Sequence, residues 1–479
     1  MSQSNGPLSS RDAATAAGLR ERFGFLHDVV LDMERRIPYA AALARTRTGL
    51  RLNLRDAEQS ADRMDPQEGI VLTASNGHQL EEASTDLTDV DAVRRLADDL
   101  VERTLAAKAA DDTPRLDIAS DGAATGDFAT SLHEDPGSIS LADKLSRFDG
   151  LRRQLRALDD RAVQAICSYS EHEMQQVFAS RSGLNTQQIR RTNMALIIFV
   201  SDGGRQEYGY VARSGSGGME LLSVDDEDLQ RAATLAAELL GSTSVPAGTY
   251  DVVTDPSTTG TIAHEAFGHG METDMFLKER ARGAEYIGKR VGSDLVNIVD
   301  DPTLPAAYGC YFVDDEGRPA APTQIIRDGI LQGGLTDLYS ATRLGIARTS
   351  NGRRESVQRK AYARMSNTFF ERGEHTPEDL LGSLDHGLLL CQTENGMEDP
   401  KGWGMQIWTH YAREYRGGKP TGRLFSPVAM TGYVPDVLAD VSMVANDFDM
   451  EAGSCGKGWK EIVPVGSGGP HIRTRCRLA

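Results

Sequence analysis

Two histidines five residues apart, with a glutamate directly after the first, set the strictest geometric demand in this 479-residue chain. The segment reads Thr261-Ile-Ala-His264-Glu265-Ala-Phe-Gly268-His269-Gly270. A hydrolytic zinc site needs two or three neutral imidazole or thiolate ligands, an open position for water, and a carboxylate beside that water as general base. The usual helical arrangement spaces two histidines by four, which puts both rings on one face. Five residues turn an α-helix through about 500°, leaving the rings about 140° apart. They share an ion only where the helix is distorted. The expected device is one extra residue taken up as a π-bulge and eased by Gly268. The plain alternative is one core histidine and one capping or exposed histidine.

A third ligand has to come from elsewhere in the chain. Cys455 is the best candidate, because glycines flank it in Glu451-Ala-Gly-Ser-Cys455-Gly-Lys457-Gly458 and Lys457 favours the thiolate that binds metal. His375, His386, His410 and His471 stay open as other candidates. There are only five cysteines, Cys167, Cys310, Cys391, Cys455 and Cys476, widely spread. That number and spacing argue against a disulfide framework and suit a reducing compartment. The first residues lack the basic-then-apolar layout of a secretory signal, so a cytoplasmic location is expected. No apolar run is long enough to span a bilayer. A net charge of -18 repels phosphate backbones, so no nucleic-acid partner is expected.

Length predicts two to three domains. The apolar period predicts a helix within 14–45 on Leu19, Phe23, Leu26, Val30 and Met33, followed by strands at 50–54 and 68–77 and a helix over 91–106. The Asp-, Ser-, Gly- and Pro-rich stretch 110–140 reads as a weakly ordered insertion. A helix over 141–158 follows, then three successive strands at 162–170, 173–182 and 193–201, and a helix over 225–240. A strand at 250–254 precedes the histidine helix, and short strands are expected at 296–299, 324–330, 388–391 and 437–444. The fold class is α+β. An α/β domain is expected over 1–245, and a β-rich domain carrying the metal-binding helix over 246–479.

His264-Glu-Ala-Phe-Gly-His-Gly-Met-Glu-Thr-Asp274 resembles the signature of the TldD-type catalytic half of the TldD/PmbA (modulator of gyrase) metallopeptidases. Further stretches resemble the same family in the same order: Ser350 to Ser356, Arg364 to Phe369, Ser442 to Asp447, Gly453 to Lys457, and Val463 to Pro470. The resemblance implies His264, His269 and Cys455 as Zn2+ ligands and Glu265 as the base that activates water. It also implies a homodimer, or a heterodimer with a PmbA/TldE-type subunit, around a cavity that admits unfolded or precursor peptides. Arg353, Arg354 and Asn367 are candidate substrate-binding residues, each equally at home in a structural role. Glu272 and Asp274 are placed to orient an imidazole N–H.

Three places depart from the family pattern: Gly458 to Glu461 after the cysteine, Phe267 inside the motif, and Glu394 to Trp403 where the family is glycine-rich. The last of these motivates an alternative function, a peptide-tailoring enzyme of modified-peptide biosynthesis that does not hydrolyse. A non-catalytic partner subunit is a further alternative, as is another HExxxH peptidase similar to dipeptidyl peptidase III, which takes a downstream glutamate as third ligand. The three tryptophans, Trp403, Trp408 and Trp459, read as core more readily than as a substrate platform.

Overall fold

The computed structural model describes residues 9–107, 115–116, 118, 123–458 and 460–479. Trp459 and part of the expected insertion (110–114, 117 and 119–122) lie outside them.

The first half of the chain forms one antiparallel sheet carrying helices. Strands β1 (Tyr39–Leu54), β2 (Gln59–Ser75), β3 (Leu80–Thr85), β5 (Ala162–Ser180) and β6 (Gly183–Ser201) lie in the order β3-β2-β1-β5-β6. The short β4 (Gly126–Ala129) runs parallel to β6, and β7 (Gln206–Gly215) pairs with β6 further along the same strand. Helices α1 (Ser10–Phe23), α2 (Phe25–Met33) and α3 (Val90–Ala106) share one apolar cluster with β1 and β2, built on Phe23, Leu26, Val30, Ile70, Leu72 and Leu100. Helices α4 (Leu141–Arg156) and α5 (Asp226–Leu239) share another with β5, β6 and β7, around Phe148, Tyr169, Leu196, Ile198 and Ala232.

Several expectations are corrected here. The helix expected to run to 45 ends at Met33, because Pro38 cannot continue it and the residues beyond pair as β1. The two strands expected at 162–170 and 173–182 are a single strand. Its polar middle, Ser170-Glu-His-Glu173, stays extended because it is hydrogen-bonded to β1 on one side and β6 on the other. Within the supposed insertion, 126–129 is strand β4 and 136–138 a 3-10 turn.

The second half holds two larger sheets. Strands β8 (Gly248–Thr254), β15 (His386–Glu398), β16 (Gly404–Arg416), β18 (Val428–Tyr433) and β22 (Ile472–Leu478) close a ring in the order β15-β8-β22-β18-β16-β15, with β17 (Lys419–Phe425) on β16 and β19 (Met443–Val444) on β22. The other sheet runs β11-β10-β9-β14-β21-β20 through β9 (Ile298–Asp300), β10 (Thr323–Arg327), β11 (Ile330–Leu331), β14 (Asn367–Phe370), β20 (Asp449–Cys455) and β21 (Val463–Gly469). Strands β12 (Gly352–Arg353) and β13 (Tyr362–Ala363) form a small pair. The strand expected at 437–444 forms only at its end: 437–439 belong to helix α10 (Val434–Ala439), which Pro435 opens, and Met443–Val444 is β19; four further helices, α6 to α9, occupy Pro256–Phe267, Asp274–Leu277, Leu338–Leu344 and Pro377–Gly382. Helix α6 packs against β21, β15 and β14, between the two sheets. Among the described residues no helix is long and apolar enough to cross a membrane.

The halves meet along a polar seam. Arg45 pairs with Asp315, Arg354 with Glu82 at 2.7 Å, and Gln187 donates to the Val313 carbonyl at 2.7 Å. His410 of β16 stacks on Tyr208 of β7, with ring centroids 4.1 Å apart. Burial lowers the His410 pKa to about 4, so the ring is neutral in the folded protein. A pKa below the ordinary value of about 6.5 means stability that is complete above about pH 6.5 and lost as pH falls toward 4, on the order of 3 kcal/mol. Thermal midpoints between pH 7 and 4.5 should therefore drop less for His410→Phe than for the unaltered chain. Parallel curves would exclude this linkage.

Candidate metal centre

Helix α6 begins where Asp255 accepts the Thr258 N–H at 2.8 Å, with Pro256 in the first turn. The same carboxylate accepts the Gln392 N–H at 2.8 Å, which ties the helix start to β15. Ile262, Ala263, Ala266 and Phe267 are all fully buried, so the helix is anchored by its apolar residues and cannot rotate to suit a ligand.

The expected π-bulge does not form. The helix stops after Phe267, the Gly268 N–H closes on the His264 carbonyl at 3.1 Å, and His269 opens a 3-10 turn to Met271. The change of winding between the two histidines brings their rings together, with centroids 5.2 Å apart and planes at 89°. Gly268 has φ −81°, which any residue adopts, so its role is space rather than conformational freedom. A Cβ there would lie 2.0 Å from Met365 Sδ and 2.2 Å from the His264 carbonyl oxygen.

Cys455, at the end of β20, completes the cluster. Its Sγ lies 3.2 Å from His264 Nε2 and 3.2 Å from His269 Nε2, and the three donor atoms all fall within 4.8 Å of one another. One tetrahedral zinc ion separates its nitrogen and sulfur ligands by ~3.5 Å, given bond lengths of about 2.0 and 2.3 Å. The donor set and its spacing therefore fit such an ion. Burial opposes charge on Cys455, but the His269 and His264 rings outweigh it and hold the thiol well below its ordinary range. Burial likewise opposes charge on both rings, and the sulfur raises them above the usual imidazole value. A divalent cation would take the place of those ring protons.

A layer of charge holds this cluster from behind. His269 Nδ1 is 3.2 Å from Glu272 Oε2, and Glu272 accepts from Arg364 Nε at 2.9 Å. Arg364 also donates to the Cys455 sulfur and carbonyl, each at 3.0 Å. Burial pushes the Glu272 carboxyl up, but Lys457 and Arg364 overcome it and hold the group far below its ordinary range. Lys457 does not reach the thiol as its sequence position suggested. It pairs with Asp274 at 2.6 Å and Glu272 at 3.1 Å, and Arg364 takes the place beside the sulfur. Arg364 lies inside one of the family-like stretches, but a lone arginine 91 residues before Cys455 carries no signal of this role in the sequence.

Glu265 faces the same cleft, of about 730 Å³, together with His264, His269, Cys455 and residues of β15 and β20. A second cleft of about 860 Å³, between α5, β7 and β20, shares Glu451 and Ala452 with it. The candidate substrate residues are not in the metal cleft, because each is committed elsewhere. Arg353 donates to the carbonyls of Met365 and Pro464 and lies over the Tyr311 ring, and Arg354 pairs with Glu82. Asn367 is fully buried, accepting the Gly309 N–H at 2.9 Å and donating to the Asp301 carbonyl at 2.8 Å. His386, His410 and His471 bond to Glu414, Gln392 and Asp447, away from the cluster, and His375 sits in a bridge with Ala445.

The turn after α6 makes a specific claim on stability. Gly268→Ala forces a methyl group onto Met365 and the helix carbonyl, and the overpacking should cost about 1–3 kcal/mol. Calorimetry should show the loss as a lowered midpoint. An unchanged midpoint would show that the turn has room.

Residues 247–476 match the family model described as the PmbA/TldA metallopeptidase C-terminal domain, and 134–242 the model of its central domain. A metalloprotease of Synechocystis sp. is 34% identical over 354 residues, covering 71% of this chain and 74% of that protein. The metalloprotease TldD homolog of Haemophilus influenzae is 31% identical over 347 residues, covering 70% and 71%. Among solved structures, TldE from Thermococcus kodakarensis superposes with a TM-score of 0.71 over 94% of this chain and 99% of its own, at 16% identity. A Thermotoga maritima chain described as a modulator of a DNA gyrase gives 0.75 over 95% and 100%, also at 16% identity. These likenesses carry the fold, and the sequence matches carry the assignment: the chain belongs to the PmbA/TldD metallopeptidase family.

Proposed function

We propose that the chain is a zinc-dependent peptidase acting on unfolded or precursor peptides, with His264, His269 and Cys455 as metal ligands and Glu265 as general base. The observation that carries this reading is the meeting of two imidazoles and one distant thiol beside an unpaired carboxylate, at the end of a free strand edge. When bound, zinc would polarise the scissile carbonyl and acidify the attacking water.

The chain's own residues do the rest. Glu265 makes no hydrogen bond or ion pair among the described residues and borders the cleft, so it is free to take the water's proton and return it to the departing amine. Glu272 fixes the His269 ring through Nδ1, which leaves Nε2 pointing into the cluster. Strand β20 is the last strand of its sheet, lines both clefts and ends in Cys455. Its outer edge offers unpaired backbone groups to an extended peptide, which would deliver a bond to the donor cluster. Folded proteins lack free extended segments of this kind, which favours unfolded substrates.

The assembly proposed is a homodimer or a pair with a PmbA/TldE-type chain, and sedimentation of the purified chain as a pure monomer would remove the first option. A cytoplasmic setting agrees with five unpaired cysteines.

Chelation should abolish cleavage of an unstructured peptide, and added zinc should restore it. Glu265→Gln should keep the metal while lowering turnover by about 10²–10⁴. Cys455→Ser should lower metal content in elemental analysis. Full cleavage by Glu265→Gln, or a peptide altered in mass without being cut, would overturn peptide hydrolysis; the second outcome is the signature of a tailoring enzyme.

A further inference from the structure

The ligand cluster and Glu265 leave one acid of the cleft unexplained. Glu398 closes β15, and both of its carboxylate oxygens are sealed from solvent and lack any hydrogen-bond partner. The neighbouring acids of the same cleft are satisfied. Glu272 is held by Arg364 and Lys457, Glu451 accepts from Ser257 at 2.8 Å, and Glu394 accepts from Tyr208.

Its placement is built from both sides. Two residues earlier, Gly396 presses the strand onto the histidine helix: a Cβ there would meet Glu265 Cγ and Thr261 Cγ2, each at 2.7 Å. On the other side, the turn from Asp399 to Gly404 is closed by the Trp403 N–H on the Asp399 carbonyl at 2.7 Å and the Asp399 N–H on the Gly404 carbonyl at 2.9 Å. Trp403 is fully buried against Phe267 and Tyr286, and it holds φ +58°, a left-handed conformation that costs a tryptophan energy. Both Glu398 oxygens lie 3.7 Å, and the Trp403 indole nitrogen 3.9 Å, from the point where a side chain on Gly270 would start. The carboxylate and an equally unpartnered indole N–H thus border one space beside His269.

A buried carboxylate without a partner is strongly disfavoured as an anion. Burial, first of all, raises its proton affinity well above the ordinary range, and Glu265 and Glu272 add to the effect while His269 opposes it. The cations lining or backing the cleft are already engaged: Lys457 with Asp274 and Glu272, Arg364 with Glu272 and Cys455. Arg282, the other cation beside this turn, lies over the Trp403 and Tyr286 rings and makes no ion pair with Glu398, so no described residue supplies the complement. We propose that Glu398 is a specificity residue that binds a positively charged nitrogen of the substrate, either the α-ammonium of a peptide or a lysine or arginine side chain near the bond presented to the metal. This rests on the peptidase reading above.

The test uses full-length zinc-loaded protein and peptide pairs that differ by one charge. One pair has a free or an acetylated amino terminus; the other has lysine or norleucine at one internal position. The unaltered chain should favour the charged member of one pair in kcat/KM by about tenfold or more, and that pair identifies which nitrogen is read. Glu398→Gln, which keeps the shape, should bring the ratio close to one, and Glu398→Asp should retain part of it. If the glutamine variant is poorly folded, Glu398→Met reads the same ratio. Calorimetric binding of the same pairs to Glu265→Gln repeats the comparison without turnover. Failure of every peptide to be cut therefore counts against the peptidase reading, while the binding ratio still reports on Glu398. Equal rates and affinities for both members of both pairs, or a preference that survives Glu398→Gln, would overturn the proposal. So would an equal loss on charged and neutral peptides.

Discussion

The sulfur of Cys455 organises the second half of this molecule. Two imidazoles and one guanidinium converge on it from segments that are far apart in the chain, and all four groups are largely withdrawn from water. Burying so many ionisable groups is tolerable only where each finds a partner of opposite sign or a hydrogen bond. The network answers that demand in order: thiolate against two rings and Arg364, Arg364 against Glu272, Glu272 against His269 and Lys457, Lys457 against Asp274. Removing any one member takes a partner away from groups that are buried with it. The end of α6, the 3-10 turn after it, the end of β20 and the residues around Arg364 are therefore constrained together as one unit.

That unit depends in turn on the seam between the halves. The loops that carry Arg353, Arg354, Asp315 and Val313 are held by residues of the first sheet, through Arg45, Glu82 and Gln187. Arg353 then reaches forward to the carbonyls of Met365 and Pro464, either side of the donor cluster. Met365 is the residue against which Gly268 is packed, so the contacts along the seam bear indirectly on the winding of the histidine turn. Two adjacent arginines that look in sequence like a grip on substrate are brackets between the scaffold and the site. The terminal guanidinium nitrogens of both are engaged by carbonyls or by Glu82, and the Asn367 amide is engaged by Gly309 and Asp301.

The cleft has two different surfaces. One side is the outer edge of β20, the last strand of its sheet, where the proposed reading would place an extended chain. The other is the β15 arm, where Glu398 stands unpaired next to the cluster. Backbone pairing of that kind would give affinity without selectivity, and under the proposed reading discrimination among peptides would fall to the arm.

Much of this was written locally in the chain. The spacing of His264, Glu265 and His269 announced a metal-type cluster and required a break in helical winding. The long apolar periods placed α3, α4 and α5 within a residue or two, because those helices bury one face against a sheet and their period follows directly from that burial. The form of the break was not legible. A π-bulge and a helix end followed by a 3-10 turn satisfy the same spacing, and the choice was made by Met365, from the connection between β13 and β14 nearly 100 residues away, packing into the space that Gly268 leaves. The same limit hid Arg364, merged two expected strands into β5, made the start of 437–444 helical, and moved Arg353 and Arg354 out of the cleft. Periodicity and motif report what a residue can do with its near neighbours. Which distant carbonyl, carboxylate or sulfur occupies the remaining donors is decided only when the sheets pack, because hydrogen-bonding capacity is finite and the folded chain spends it on whichever partner the topology brings within 3 Å.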